Sequence, residues 1–161
     1  ELTGHQGDIM KESVKCAKTI AWNLLSEQNK KNIFNQMKDL SWGLHVHTPD
    51  GATPKDGPSA GAAITLAILS FLINLPIKND IAMTGEIDLN GNIKKIGGLI
   101  SKLSGAKKAG VKTVLIPFEN LDDLELIRKK DLSNEDNNFN IITVNTIYDI
   151  IKYSFTKNIK L

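Results

Sequence analysis

The sequence predicts an α+β domain with mixed β-sheets, and three observations carry that prediction. Helical apolar spacing runs from Asp8 to Leu24 and again from Pro58 to Phe71; short apolar runs bounded by turn residues lie between and beyond them; no internal repeat organises the chain. The 161 residues are expected to form one domain, 1–161. At that size folding buries about two-thirds of the unfolded chain's surface.

From Asp8, a suitable N-cap, Met10, Val14, Ala17, Ala21 and Leu24 recur at helical spacing, predicting an amphipathic helix. A polar stretch rich in Asn and Lys follows it. Trp42, Leu44 and Val46 then alternate with polar or small residues up to Pro49, predicting a strand with His45 and His47 together on its other face. Pro49, Asp50, Gly51, Pro54, Asp56 and Gly57 make the following segment a loop. After it, Pro58 and Ser59 stand at the predicted start of a helix through Phe71, so Ser59 lies at a loop-to-helix junction.

Ile81 to Leu89 and Ile93 to Ile96, joined through Asn90-Gly91, predict a β-hairpin that ends at Gly97-Gly98. The remaining pattern gives a helix over Leu99–Ala109, a buried strand over Thr113–Pro117, a helix over Asn120–Lys129, a strand over Asn140–Val144 and a closing helix after Asn145. An Asn-rich loop, Asn134 to Asn138, interrupts the last part.

Composition excludes several classes. Apolar residues at 41% and charged residues at 24% fit a globular domain rather than a disordered one. The net charge of +2 arises from 20 basic and 18 acidic side chains spread along the chain, so no nucleic-acid footprint is expected, and Lys107-Lys108 and Lys129-Lys130 read as solvated helix faces. The apolar stretch from Ala60 to Leu75 is interrupted by Thr65, Ser70 and Asn74 and is too short for a membrane span, so it is expected to be a core helix. Cys16 has no second cysteine to pair with, which fits a reducing compartment. Glu1 in place of a starting methionine, with no signal-peptide pattern, predicts a domain excised from a longer chain.

The chemistry centres on Pro54-Lys55-Asp56-Gly57-Pro58-Ser59-Ala60-Gly61, a loop that tightens around a serine just before an apolar helix. A hydroxyl there is either a helix N-cap or a nucleophile beside backbone amides that bind an oxyanion. The stretch also fits G-x-S-x-G, but the strand before it and the histidine after it are missing, since His5, His45 and His47 all precede Ser59. A His47, Asp56, Ser59 order remains open. The other common base for a serine is lysine. With a reference pKa of about 10.4, roughly one exposed lysine in two thousand is neutral at pH 7, so the base is expected to be half-buried. Lys102 adjoins the apolar stripe of Leu99, Leu103 and Ala106, whereas Lys107 and Lys108 sit at a helix end where lysines are solvated. His45 and His47 share a face as metal ligands would, yet no third and fourth ligand follows at suitable spacing. No G-x-x-x-x-G-K-[ST] phosphate loop occurs, so this chain is not expected to bind ATP.

The octapeptide Pro54 to Gly61 resembles the active-site signature of the Lon proteases, in the subtype whose ATPase and protease modules share one soluble chain. Five further segments agree in order: Thr3-Gly4 with Gly7 to Ser13; His45-Val46-His47 with Gly51-Ala52-Thr53; Ala82-Met83-Thr84-Gly85-Glu86; Ile96-Gly97-Gly98-Leu99 with Lys102; and Gly110 to Pro117 with Glu119-Asn120. The region after Asn120 matches weakly. Ile100 and Ser101 replace charged residues usual before the lysine, and Gly105 inside the helix costs about 1 kcal/mol.

The resemblance implies a compact Lon proteolytic-domain fold with about six helices. It implies a serine endopeptidase with Ser59 as nucleophile and Lys102 as base. Thr84 matches a threonine that helps position the lysine, and Glu86 a nearby acidic residue. Asp56 matches an aspartate that can pair with the lysine in inactive forms, and with Gly51 and Gly57 in its loop it is placed to do so by a change of loop conformation. His45 and His47 match histidines beside the groove. The implied partners are unfolded proteins or peptides and five further copies in a hexameric ring, with ATP and Mg in an ATPase module outside this sequence, no cofactor or metal in this domain, and no nucleic-acid or membrane binding. The implied location is the mitochondrial matrix in a eukaryote or the cytoplasm in a bacterium. Two alternatives stay open: a non-catalytic Lon-like docking module, and an ATP-independent serine-lysine peptidase.

Overall fold

Alternation along three short parallel strands divides the apolar residues between two clusters, and that division positions everything else. In the computed structural model, which describes residues 1–38, 43–133, 135–157 and 159, β3 (Ile81–Met83), β6 (Thr113–Pro117) and β7 (Asn140–Val144) form a parallel sheet in the order β3-β6-β7. Successive side chains on a strand point to opposite faces. Leu115 accordingly enters one cluster with Leu66, Leu69 and Ile150, while Val114 and Ile116 enter the other with Leu103, Leu124 and Phe139. Burying each of these large side chains contributes about 1.5–3 kcal/mol relative to leaving it in water.

Helix α1 (Asp8–Asn23) and helix α3 (Gly61–Ile73) pack together in the first cluster, with Ala17, Ala21 and Ala62 wholly buried, so small residues let the two backbones approach closely. Helix α6 (Ile147–Ser154) closes that cluster, its start fixed by Thr146 and Asp149 in a reciprocal capping box. Helices α4 (Leu99–Lys108) and α5 (Leu121–Lys129), the latter preceded by a 3-10 turn at Phe118–Asn120, cover the second cluster. Among the described residues, two further small sheets accompany the three-stranded one. β1 (Leu2–Thr3) runs parallel to β2 (Val46–His47), and β4 (Glu86–Ile87) runs antiparallel to β5 (Ile93–Lys94). The α+β class is thus the observed one, with six α-helices among the described residues. No helix among them is long and apolar enough to cross a membrane.

Several boundaries differ from the sequence expectation. The polar stretch after Leu25 is a helix, α2 (Glu27–Met37), whose N-terminus is capped by Ser26 accepting from the N–H of Asn29 at 3.3 Å. Only Ile33 of its apolar residues is buried among those described, which is why periodicity gave no signal. Trp42, part of the strand expected before Pro49, lies outside the described residues. The expected hairpin is shorter: Ile81–Met83 belongs to the parallel sheet, and only Glu86–Ile87 pairs with Ile93–Lys94. The break falls at Thr84-Gly85, where the N–H of Thr84 still reaches Leu115 O at 3.1 Å but the N–H of Gly85 turns to Ser59 O at 2.9 Å. A side chain at Gly85 would bring its Cβ within 2.4 Å of Ile93 Cγ2, so this crossing requires glycine. Helix α3 begins at Gly61, two positions later than Ser59.

Candidate active site

The start of α3 decides what Ser59 is free to do. The N-cap is Ala60, with no side-chain cap hydrogen bond, so the Ser59 hydroxyl is not spent on the helix. The N-cap reading of Ser59 therefore fails in this structure. Its Oγ instead accepts a hydrogen bond from Lys102 Nζ at 3.2 Å. Among the described residues the backbone N–H groups of Ser59 and Ala60 have no partner, and they lie at the positive end of α3.

Two contacts hold the serine carbonyl, and a third ties Gly85 to α3. Ser59 O accepts from Gly85 N at 2.9 Å and from Thr84 Oγ1 at 3.3 Å, while Gly85 O in turn accepts from Ala62 N at 3.0 Å. Thr84 is buried, directly after β3, so the serine is fastened to the end of the central sheet. Its hydroxyl thus meets the serine carbonyl, whereas the resemblance implied a role toward the lysine amine. Gly85 was missed by sequence reasoning because its contribution is made by backbone alone, although it lies inside a quoted motif.

Lys102 comes from the other side of the sheet. Leu99 and Leu103 of α4 are buried in the second cluster, and Lys102 flanks that stripe. The contact between Ser59 and Lys102 therefore joins two hydrophobic clusters rather than lying within one. The expectation of a half-buried lysine is corrected: Lys102 is exposed. The physical reason is that α4 presents only its leucine stripe to the core, leaving the next position over at the open edge of the site.

Asp56 occupies a different place from the one expected. Its Oδ1 accepts from Met10 N at 2.9 Å and Gly57 N at 2.8 Å, and these N–H bonds, led by that of Met10, hold its carboxyl below the ordinary aspartate range. The N-cap of α1 is Gly7, which offers no side chain, so Asp56 supplies the cap from the loop before Ser59. A Cβ at Gly7 would lie 2.3 Å from Asp56 Cγ, which explains the glycine. Gly7 N also donates to Lys55 O at 2.7 Å, and Ser13 Oγ to Pro58 O at 3.4 Å. The loop is stapled to α1, and Asp56 does not pair with Lys102 here.

His45 and His47 do share a face, as expected, and both contact one hydroxyl. Thr3 Oγ1 lies 2.8 Å from His45 Nε2 and 2.7 Å from His47 Nδ1. That hydroxyl has one proton to give, so at least one of the two imidazole nitrogens carries its own and donates to Thr3. A His47, Asp56, Ser59 triad is not assembled, because His47 is engaged by Thr3 and Asp56 by α1. Glu86 stands opposite Lys94 on the hairpin, exposed, and its side chain makes no hydrogen bond or ion pair to a described residue. No group of three or more His, Cys, Asp or Glu among the described residues is arranged to hold a metal ion.

Comparison with known proteins gives the family of the chain. Residues 1–157 match the family described as Lon protease (S16) C-terminal proteolytic domain. A Lon protease homolog of Acanthamoeba polyphaga mimivirus is 47% identical over 94% of this chain and 14% of its own length. A Lon protease of Buchnera aphidicola is 46% identical over 96% of this chain and 19% of its own. A mitochondrial Lon protease homolog of Phaeodactylum tricornutum is 43% identical over 79% of this chain and 14% of its own. This chain spans no more than about a fifth of the relatives it matches, 20% in a Campylobacter jejuni Lon protease. The chain belongs to the family of Lon protease C-terminal proteolytic domains.

Proposed function

We propose that this chain is the catalytic domain of a serine endopeptidase in which Ser59 is the nucleophile and Lys102 its general base. The observation that carries the reading is the 3.2 Å separation of Lys102 Nζ and Ser59 Oγ, within the reach a base needs. Neutral Lys102 takes the proton from Ser59 as Oγ attacks the peptide carbonyl carbon. The N–H groups of Ser59 and Ala60 hold the resulting oxyanion. Protonated Lys102 then gives its proton to the departing amine, and water hydrolyses the ester in a second step. Desolvation favours a neutral amine, and because Lys102 is exposed, the polypeptide lying across the site would supply that desolvation.

The substrates proposed are unfolded polypeptides, delivered by an ATP-driven module within a homohexameric ring. ATP and Mg would bind in that module, since this sequence has no phosphate loop. Relatives with bacterial sources and one named mitochondrial support a location inside the cell. A serine-directed fluorophosphonate probe, followed by mass spectrometry of the labelled peptide, tests the dyad. The expected label is on Ser59, absent from Ser59→Ala and greatly slowed in Lys102→Ala. A label on another residue, or an unchanged rate in Lys102→Ala, contradicts the reading.

A further inference from the structure

Lys102 must be held in register with a serine anchored on the opposite face of the sheet, and the approach to its helix is weak in the usual restraints. Gly97 and Gly98 are exposed, a Cβ at either would meet nothing within 4 Å, and the Gly98 N-cap, at φ 68°, makes no side-chain cap hydrogen bond. The residue before them is fixed in an unusual way. Ile96 N donates to Asn120 Oδ1 at 3.0 Å, and Asn120 Nδ2 donates to Ile96 O at 2.9 Å. The side-chain amide of Asn120 thus pairs with a backbone residue as a neighbouring strand would. Next to it, Lys95 N donates to Glu119 Oε2 at 2.8 Å. Asn120 is wholly buried, and its Nδ2 has a second acceptor in Asp123 Oδ2 at 2.8 Å, so the amide is oriented by three contacts.

We propose that Glu119 and Asn120 form a clamp on Lys95 and Ile96 whose task in the reaction is to position Lys102, with Asn120 as the principal positioning residue. The proposal rests on the reading of Ser59 and Lys102 as the reacting pair. The two residues lie in the 3-10 turn that directly follows β6, and β6 pairs with β3, whose end carries the Thr84 and Gly85 groups that bind Ser59. One continuous path of hydrogen bonds therefore runs from the serine, through the sheet, to the clamp on Lys95 and Ile96, three residues before α4 begins. Neither residue makes a hydrogen bond or ion pair with Ser59 or Lys102, so both act through the helix. Buried Leu99 and Leu103 fix which face of α4 meets the core, and the clamp fixes where the helix begins along that face. With Lys102 Nζ 3.2 Å from Ser59 Oγ, a displacement of roughly 1 Å takes the pair out of reach, and misplacement on that scale costs on the order of a hundredfold in rate.

The test measures the second-order rate of fluorophosphonate labelling of Ser59, together with kcat and KM for a fluorogenic peptide, in the complete protein. Variants are Asn120→Ala and the exposed-site Glu119→Ala, each with Lys102 intact and in a Lys102→Ala background. With Lys102 intact, Asn120→Ala is expected to slow labelling and lower kcat by at least about 30-fold with KM within about 3-fold, and Glu119→Ala by about 3- to 10-fold. In the Lys102→Ala background, the same changes are expected to leave the residual labelling rate within about twofold. A merely structural residue would lower labelling by the same factor in both backgrounds, and that result overturns the proposal. Should Asn120→Ala not fold, the Glu119→Ala measurements decide by the same criterion, and wild-type labelling by folded Glu119→Ala overturns the clamp. Wild-type labelling by Lys102→Ala alone removes the dyad on which the clamp depends, which separates that failure from this one.

Discussion

The Asp56 carboxylate and the Met10 backbone N–H meet at 2.9 Å, so the segment that carries the candidate nucleophile also caps the first helix. Asp56→Ala is expected to lower the melting temperature and to loosen Ser59, whereas Asp56→Asn retains an acceptor and should be milder. The folded-state pKa of Asp56 is lowered, chiefly by the Met10 N–H. Its contribution is therefore complete above the ordinary aspartate range of about 3.9 and lost as pH falls through the lower folded value. Thermal unfolding of wild type and Asp56→Ala checks this: the difference in midpoint should be constant from about pH 6 to 8 and shrink below about pH 4.

Gly85→Ala should be among the more damaging single-methyl changes. Its Cβ would stand 2.4 Å from Ile93 Cγ2, and the same residue's N–H binds Ser59 O. Overpacking of this kind costs about 1–3 kcal/mol. Denaturant unfolding should show that loss, and peptide cleavage should fall with it because Ser59 moves.

Thr84→Val keeps the volume and removes one hydroxyl. Ser59 O retains its bond from Gly85 N, so the carbonyl is not orphaned. A single neutral hydrogen bond of this sort contributes about 0.5–1.5 kcal/mol, which translates to at most about a tenfold loss in kcat/KM. Steady-state cleavage of a fluorogenic peptide measures it.

The parts of the fold legible in the sequence are those where one physical signal dominates. Thr113–Pro117 and Asn140–Val144 were expected at the bounds the structure gives, because short β-branched, largely apolar runs bounded by polar or turn residues favour strands. Ser59 and Lys102 were legible as a pair through the motifs around them. Three features were hidden. Helix α2 buries too little to leave a periodic stripe; Thr84-Gly85 splits an apolar run between two sheets by hydrogen bonds that the run itself does not encode; and Asp56 caps a helix far from it in sequence. The last two are long-range polar contacts, and residue spacing carries no record of those. Solvent exposure of Lys102 was likewise invisible, since flanking an apolar stripe fits either an open or a covered site.

The dyad itself is tested most directly by peptide cleavage in four versions of the complete protein: wild type, Ser59→Ala, Lys102→Ala and His47→Ala. Ser59→Ala and Lys102→Ala should each lower kcat by at least about a thousandfold, with the protein still folded by circular dichroism, because groups that act as one unit fail together. His47→Ala, which loses a hydrogen bond with Thr3 and an edge-on ring contact with His45, should retain activity within about tenfold of wild type. Cleavage that survives Lys102→Ala but disappears with His47→Ala would contradict the account and transfer the role of base to the histidine.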